Sequence, residues 1–166
     1  MDDLDKNNRQ QLLNQITDKM NYCSDEELKQ VVRVLEANQF SKEGKLHYFG
    51  NFVGIRIISN ELMEMDLGYH NANSYGAAQG GAISTLADIA IGYCILSKVA
   101  KDNKVVTLEL KLNYIRPGLG ELLTAKPTIL HHGSKTAVGT CGIYDTNGEL
   151  VAQAQGTFYL VGERIL

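Results

Sequence analysis

The chain is predicted to be an α+β protein in which an antiparallel β-sheet wraps around one central α-helix, with an N-terminal helical extension. Three observations predict it. An apolar stretch at helical period, Ala82 to Lys98, has too many apolar faces to be anything but buried. Segments of period-two alternation follow it, separated by turn residues. Two amphipathic helical patterns precede everything else. A buried helix can cover its apolar surface only if the concave face of a sheet closes over it.

Taken in order, Leu12, Leu13, Ile16 and Met20 recur at helical spacing between about residues 4 and 22. Ser24 then caps a second helix with Glu27 as its capping-box partner, and Leu28, Val31, Val32 and Leu35 form its stripe. Asn38 to Lys45 is expected to be a loop, which divides an extension, 1–45, from a domain, 46–166. From Phe52 the period becomes two: Val53, Ile55 and Ile57, a turn at Ser59 and Asn60, then Met63, Met65 and Leu67 describe a hairpin. A Gly/Asn/Ser-rich loop, 68–81, feeds the central helix.

Beyond that helix, Val106 to Tyr114 alternates, with Val106, Leu108, Leu110 and Leu112 on one face and Thr107, Glu109 and Lys111 on the other. Leu122 to Leu130, Thr136 to Tyr144 and Glu149 to Val161 complete an antiparallel meander, with turns at 131–135 and at Asn147-Gly148. A helix flank and a sheet edge remain, and pairing of subunits would cover them.

Composition narrows the function classes. With 166 residues, 44% apolar and 21% charged, the chain suits one globular domain. The net charge of -3 arises in residues 1–40, where five Lys/Arg face eight Asp/Glu; residues 41–166 hold eleven of each. No cluster of Lys and Arg suits a phosphate backbone, so no nucleic-acid partner is expected. The absence of a long apolar run and of a basic leader sets the expectation of a cytoplasmic protein without a membrane partner. Cys23, Cys94 and Cys141 form no CxxC pair and are expected to be ordinary buried thiols, and no metal site is expected.

Asp88 is the residue that requires explanation, because a carboxylate within an apolar helix is costly unless hydrogen-bonded or turned to a cavity. Gly81, Ser84, Thr85, Asp88 and Gly92 share a small, polar helical face. Asp88 therefore either serves a site on that face, or bonds Ser84 or Thr85 as a structural pair, or meets solvent at a helix edge. Gln79, Gly80 and Gly81 stand where the helix begins, and unpaired amides there can receive a developing negative oxygen; a plain glycine-rich loop is the other reading. His70 is expected to be a satisfied loop histidine.

The run Asn73 to Asp88 resembles the signature N-x5-HGG-x6-D of the PaaI-like thioesterases, which have the hotdog fold. The Asn, Gly-Gly and Asp positions match, and the likeness extends over roughly residues 46 to 161. The resemblance implies an acyl-CoA thioesterase. In it the Gly80 amide and the Asn73 side chain polarise the thioester carbonyl, Asp88 of a neighbouring subunit acts as general base or nucleophile, and Thr107 helps hold the water. It implies Gln79, Gly81, Thr85 and Arg116 near the substrate. The turn Gly133, Ser134, Lys135 aligns with a coenzyme A-contacting stretch, although Lys135 reads equally as a solvated turn lysine. Coenzyme A enters only as part of the substrate, with no separate cofactor. A homodimer, or a dimer of dimers (a homotetramer), would place sites at the subunit interface.

Gln79 departs from the family's His and cannot titrate, which removes any imidazole role and argues against a hotdog dehydratase. The same departure motivates an alternative, a non-catalytic acyl-CoA-binding protein acting as sensor or regulator. Residues 1–40 would form an interaction arm or lid.

Overall fold

The computed structural model describes residues 3–44, 46–100 and 103–162. Helices α1 (Asp3–Met20) and α2 (Asp25–Glu43) come first, then a short α3 (Tyr48–Phe52). The hairpin β1 (Ile55–Ser59) and β2 (Leu62–Asp66) leads through a 3-10 turn (Tyr69–Asn71) to the central helix α4 (Gly80–Leu96). Strands β3 (Lys104–Tyr114), β4 (Leu122–His132), β5 (Thr136–Tyr144) and β6 (Leu150–Val161) complete the chain.

All six strands form one antiparallel sheet in the order β1-β2-β4-β5-β6-β3. Only β4, β5 and β6 make a meander; β3 follows α4 across the sheet and pairs with β6 at the far edge. That placement corrects the simple sequential meander: the long helical crossover lets the chain leave β2 and return on the opposite edge.

The sheet wraps α4, whose Leu86, Ala87, Ala90, Ile91 and Ile95 are buried against Met63, Met65, Leu123, Ile143 and Phe158. Gly139 of β5 shows how close the two layers come: a Cβ there would lie 2.5 Å from Ile91 Cγ2. Alternation places apolar residues of β4 to β6 inward, as strands with one covered face require.

The capping box at α2 forms as predicted, with Ser24 N and Oγ bonding Glu27 Oε2 and Glu27 N–H bonding Ser24 Oγ. The helix runs on to Glu43, through residues expected to loop. It packs on α3 through a face that includes buried Ala37, while Val32 and Leu35 of the predicted stripe are exposed. Leu12, Leu13 and Ile16 of α1 are exposed as well.

Helix α3 precedes the hairpin and takes in Phe52, so the strand begins at Ile55, later than predicted. Tyr48 and Phe52 stack with ring centroids 5.9 Å apart, one turn from each other, a contact that supports the helical conformation here. Of the cysteines, Cys94 and Cys141 are buried, and burial pushes the Cys141 thiol up to about 12. Cys23 is only half-buried, because it lies in the connection between α1 and α2, outside the core.

His70 corrects another expectation. Its Nε2 is buried without a hydrogen-bond partner among the described residues. The loop is held instead by Asn71, whose Nδ2 donates to Val53 O (2.9 Å) and Asp66 O (2.7 Å) and whose Oδ1 accepts from Gly68 N–H.

Candidate active site

Strand β3 carries a bulge between Thr107 and Glu109, and that bulge builds the site. Before it, Val105 and Thr107 pair with the inward residues Leu160 and Phe158; after it, Leu110 and Leu112 pair with Gly156 and Ala154. The extra residue, Leu108, reverses the phase of alternation. Val106 and Leu108 are therefore exposed (44% and 60%), which corrects the single apolar face read from Val106 to Leu112, and Thr107 is turned toward α4. There its hydroxyl donates to Asp88 Oδ1 at 2.8 Å.

Asp88 is half-buried and lines a cavity of about 1020 Å³. Thr85 and Thr107 share the Asp88 end, while Phe49, Ile89, Tyr93 and Phe158 give the remaining wall its apolar character. Burial pushes the Tyr93 phenol up. Thr85 bonds the carbonyl of Gly81 (2.9 Å) and not Asp88, and Ser84 shows no bond to it either, so a pair within the helix is not what satisfies the carboxylate.

The helix start forms a second, smaller cleft of about 350 Å³, lined by Asn73, Gly80, Ile83, Tyr114 and Arg116 among others. Helix α4 begins at Gly80, two residues before the predicted start, with Gln79 as its N-cap. The Gln79 Oε1 accepts the Gly81 N–H at 2.9 Å, a bond that a capping side chain supplies. The Gly80 N–H has no hydrogen-bond partner among the described residues. Asn73 Oδ1 accepts from Tyr75 N–H (2.9 Å) and Ala77 N–H (3.1 Å), which shapes the loop and leaves Nδ2 as the available donor.

Tyr114, which the sequence did not single out, covers this helix start. Its hydroxyl donates to Gly80 O at 2.7 Å, and a Cβ on Gly80 would lie 3.2 Å from that oxygen. A side chain at position 80 would press on the tyrosine, which would have to give by a few tenths of an ångström. A tyrosine at the end of an alternating strand carries no sequence signal that would reveal it.

Arg116 lines the same cleft but is engaged elsewhere, by Leu150 O (3.0 Å) and Glu149 (3.3 Å). Gly133, Ser134 and Lys135 lie in the β4–β5 turn, outside the linings of both clefts. His131 and His132 are exposed. Among the described residues no group of three or more His, Cys, Asp or Glu is placed to hold a metal ion. No helix there is long and apolar enough to cross a membrane.

One chain therefore holds a carboxylate in the large cavity, and a free amide with an amide side chain in a separate cleft. Fold and site together define a hotdog-fold thioester hydrolase. Residues 75–152 match the thioesterase superfamily model. The chain is 31% identical over 144 residues to "Putative esterase SSO1253" of Saccharolobus solfataricus, covering 80% of this chain and 89% of that protein. It is 30% identical over 96 residues to the medium/long-chain acyl-CoA thioesterase YigI of Escherichia coli K12, covering 50% of this chain and 61% of YigI. Among solved structures, BH2602 of Bacillus halodurans, crystallised with CoA, superposes with a TM-score of 0.82 at 23% identity, over 90% of this chain and 99% of BH2602. The chain belongs to the thioesterase superfamily.

Proposed function

We propose that the protein hydrolyses acyl-CoA thioesters to the free acid and CoA, in sites that two subunits build together. The carrying observation is the Asp88 carboxylate, held by Thr107 in a cavity whose lining is mostly apolar. Thr107 engages Oδ1, which leaves Oδ2 to act, as a general base toward water or as a nucleophile toward the carbonyl. The Gly80 N–H and Asn73 Nδ2 would receive the oxyanion as the carbonyl becomes tetrahedral, and the CoA thiolate would leave.

Within one chain these groups cannot meet at one carbonyl. Asp88 and Gly80 are eight residues apart on α4, about 12 Å along its axis. A second subunit resolves the separation. The eleven-residue strand β3 ends the sheet with Val106 and Leu108 exposed, and an edge of that length is suited to pairing. A two-fold axis beside β3 would bring the helix start of one subunit toward Asp88 of the other. The resulting dimer, alone or doubled into a tetramer, would need no cofactor besides the CoA of its substrate. Lys135 and Arg116 would be positioned toward the CoA phosphates only from the assembled dimer.

The CoA in BH2602 and the acyl-CoA activity in the name of YigI support this substrate class. They favour it over a non-catalytic acyl-CoA binder, and Gln79 does not count against it, because its side chain caps Gly81 and leaves the Gly80 amide free. The test is thioester hydrolysis across an acyl-CoA panel by wild type and by Asp88→Ala. Loss of turnover in the variant, with binding retained, supports the reading; equal rates reject it.

A further inference from the structure

Resting on the thioesterase reading, we infer that Gly92 sets the length of acyl chain the enzyme accepts, and that its substrates are straight aliphatic chains of medium length. Thr85, Asp88, Ile89, Gly92 and Leu96 lie three and four residues apart, on one face of α4, and all line the same cavity. That face is polar only at the Thr85 and Asp88 end. A carbonyl reacting at Asp88 therefore sends its acyl chain along the helix toward Leu96. The path from Asp88 to Leu96 is eight residues, about 12 Å, which an extended chain of about ten carbons fills.

Gly92 lies midway, and its missing side chain keeps the passage open. A Cβ there would sit 3.4 Å from Phe158 Cε1, in ordinary contact. Phe158 is 1% exposed, so its ring has no room to retreat. Any side chain longer than one carbon at position 92 must then extend into the cavity and block the chain beyond its first few carbons. Phe49 of α3, Val99 and Val105 bound the cavity as well, so most of its lining is apolar, with His47, Asn103 and Lys104 the polar residues away from Asp88, Thr85 and Thr107.

The experiment measures kcat/KM of the full-length protein, Gly92→Ala and Gly92→Leu for acyl-CoAs from butyryl to hexadecanoyl. The wild type is expected to prefer decanoyl-CoA to butyryl-CoA. The decanoyl-to-butyryl ratio should fall modestly in Gly92→Ala and by about tenfold or more in Gly92→Leu, since each methylene excluded from an apolar pocket loses a sizeable factor. Alanine is a better helix former than glycine, so the milder variant should melt no lower than wild type. A ratio that stays constant in both variants, or a wild type indifferent to chain length, overturns the inference. Binding of non-hydrolysable S-alkyl-CoA thioethers of the same lengths separates the two readings. A wild type that turns over nothing overturns the thioesterase reading, while loss of long-chain thioether binding in Gly92→Leu still supports the role of Gly92, and unchanged binding overturns it.

Discussion

Thr107 donates its hydroxyl proton to Asp88 Oδ1 at 2.8 Å, tying an edge strand to the central helix at the one carboxylate that faces the main cavity. The bulge at Leu108 makes that bond possible, because without it Thr107 would point away from α4. Asp88→Asn should lower kcat by about 10²- to 10⁴-fold, the range for removing a positioned base. Thr107→Val should cost about tenfold, since it removes a hydrogen bond to a charged oxygen but leaves the oxygen in place. Steady-state rates of the two variants check both figures, and equal losses would show that Thr107 does more than hold Asp88.

At the helix start, the close approach of Tyr114 gives a second expectation. In Gly80→Ala the new methyl would lie 3.2 Å from the Tyr114 hydroxyl and 3.3 Å from its Cζ, so the tyrosine or the helix start must shift. Turnover should fall with little loss of stability, because the cleft is near the surface. Tyr114→Phe should lose about 0.5–1.5 kcal/mol, the net contribution of one hydrogen bond, measured by denaturant unfolding.

The helix and sheet meet most tightly at Gly139 and Ile91. Gly139→Ala should destabilise the fold by about 1–3 kcal/mol through overpacking. Pairing it with Ile91→Ala removes the clashing methyl, so the double variant should be less destabilised than the sum of the two singles. Chemical denaturation of the four proteins in the cycle gives the coupling directly.

Much of this architecture was legible in the sequence, and what was not has a physical reason. The capping box at Ser24, the apolar faces of α4 and the alternation of β4 to β6 are local signals, and each appears where the residues predict. Helix α3 is held by the Tyr48–Phe52 stack and by packing on α2, which periodicity over five residues does not reveal. The phase change in β3 depends on its register with β6, a pairing between segments distant in sequence, so Val106 and Leu108 read as core residues until the bulge is known. In the site, Asp88, Thr107, Asn73 and Gly80 were legible as motif positions. That Asp88 and Gly80 lie in different clefts agrees with the resemblance's assignment of Asp88 to a neighbouring subunit and with the eight residues of helix between them. Asn71 and Tyr114 act through their contacts and carry no motif.

His70 leads to a pH prediction. Burial pushes its imidazole pKa below the usual 6.5, and the cation of Arg33 on α2 pushes it the same way, against the weaker opposing influence of backbone groups and Asp66. The folded state thus binds a proton less readily than the unfolded chain, so stability rises with pH in this window. The contribution is present above pH 6.5 and is lost as pH falls from there through the lower folded value. Denaturation midpoints between about pH 7 and pH 5 should fall for wild type, and His70→Gln should flatten that slope.

If each active site joins Asp88 of one subunit to Gly80 and Asn73 of another, two proteins that each lack one half should complement each other. Mixing two inactive proteins, Asp88→Asn and Gly80→Pro, after unfolding and refolding them together in equal amounts, tests it most directly. Half of the dimers formed would be mixed, and each would hold one site with both parts intact, giving about one quarter of wild-type turnover. Mixtures that stay as inactive as either parent would contradict the account, since a site built within one chain gains nothing from its neighbour.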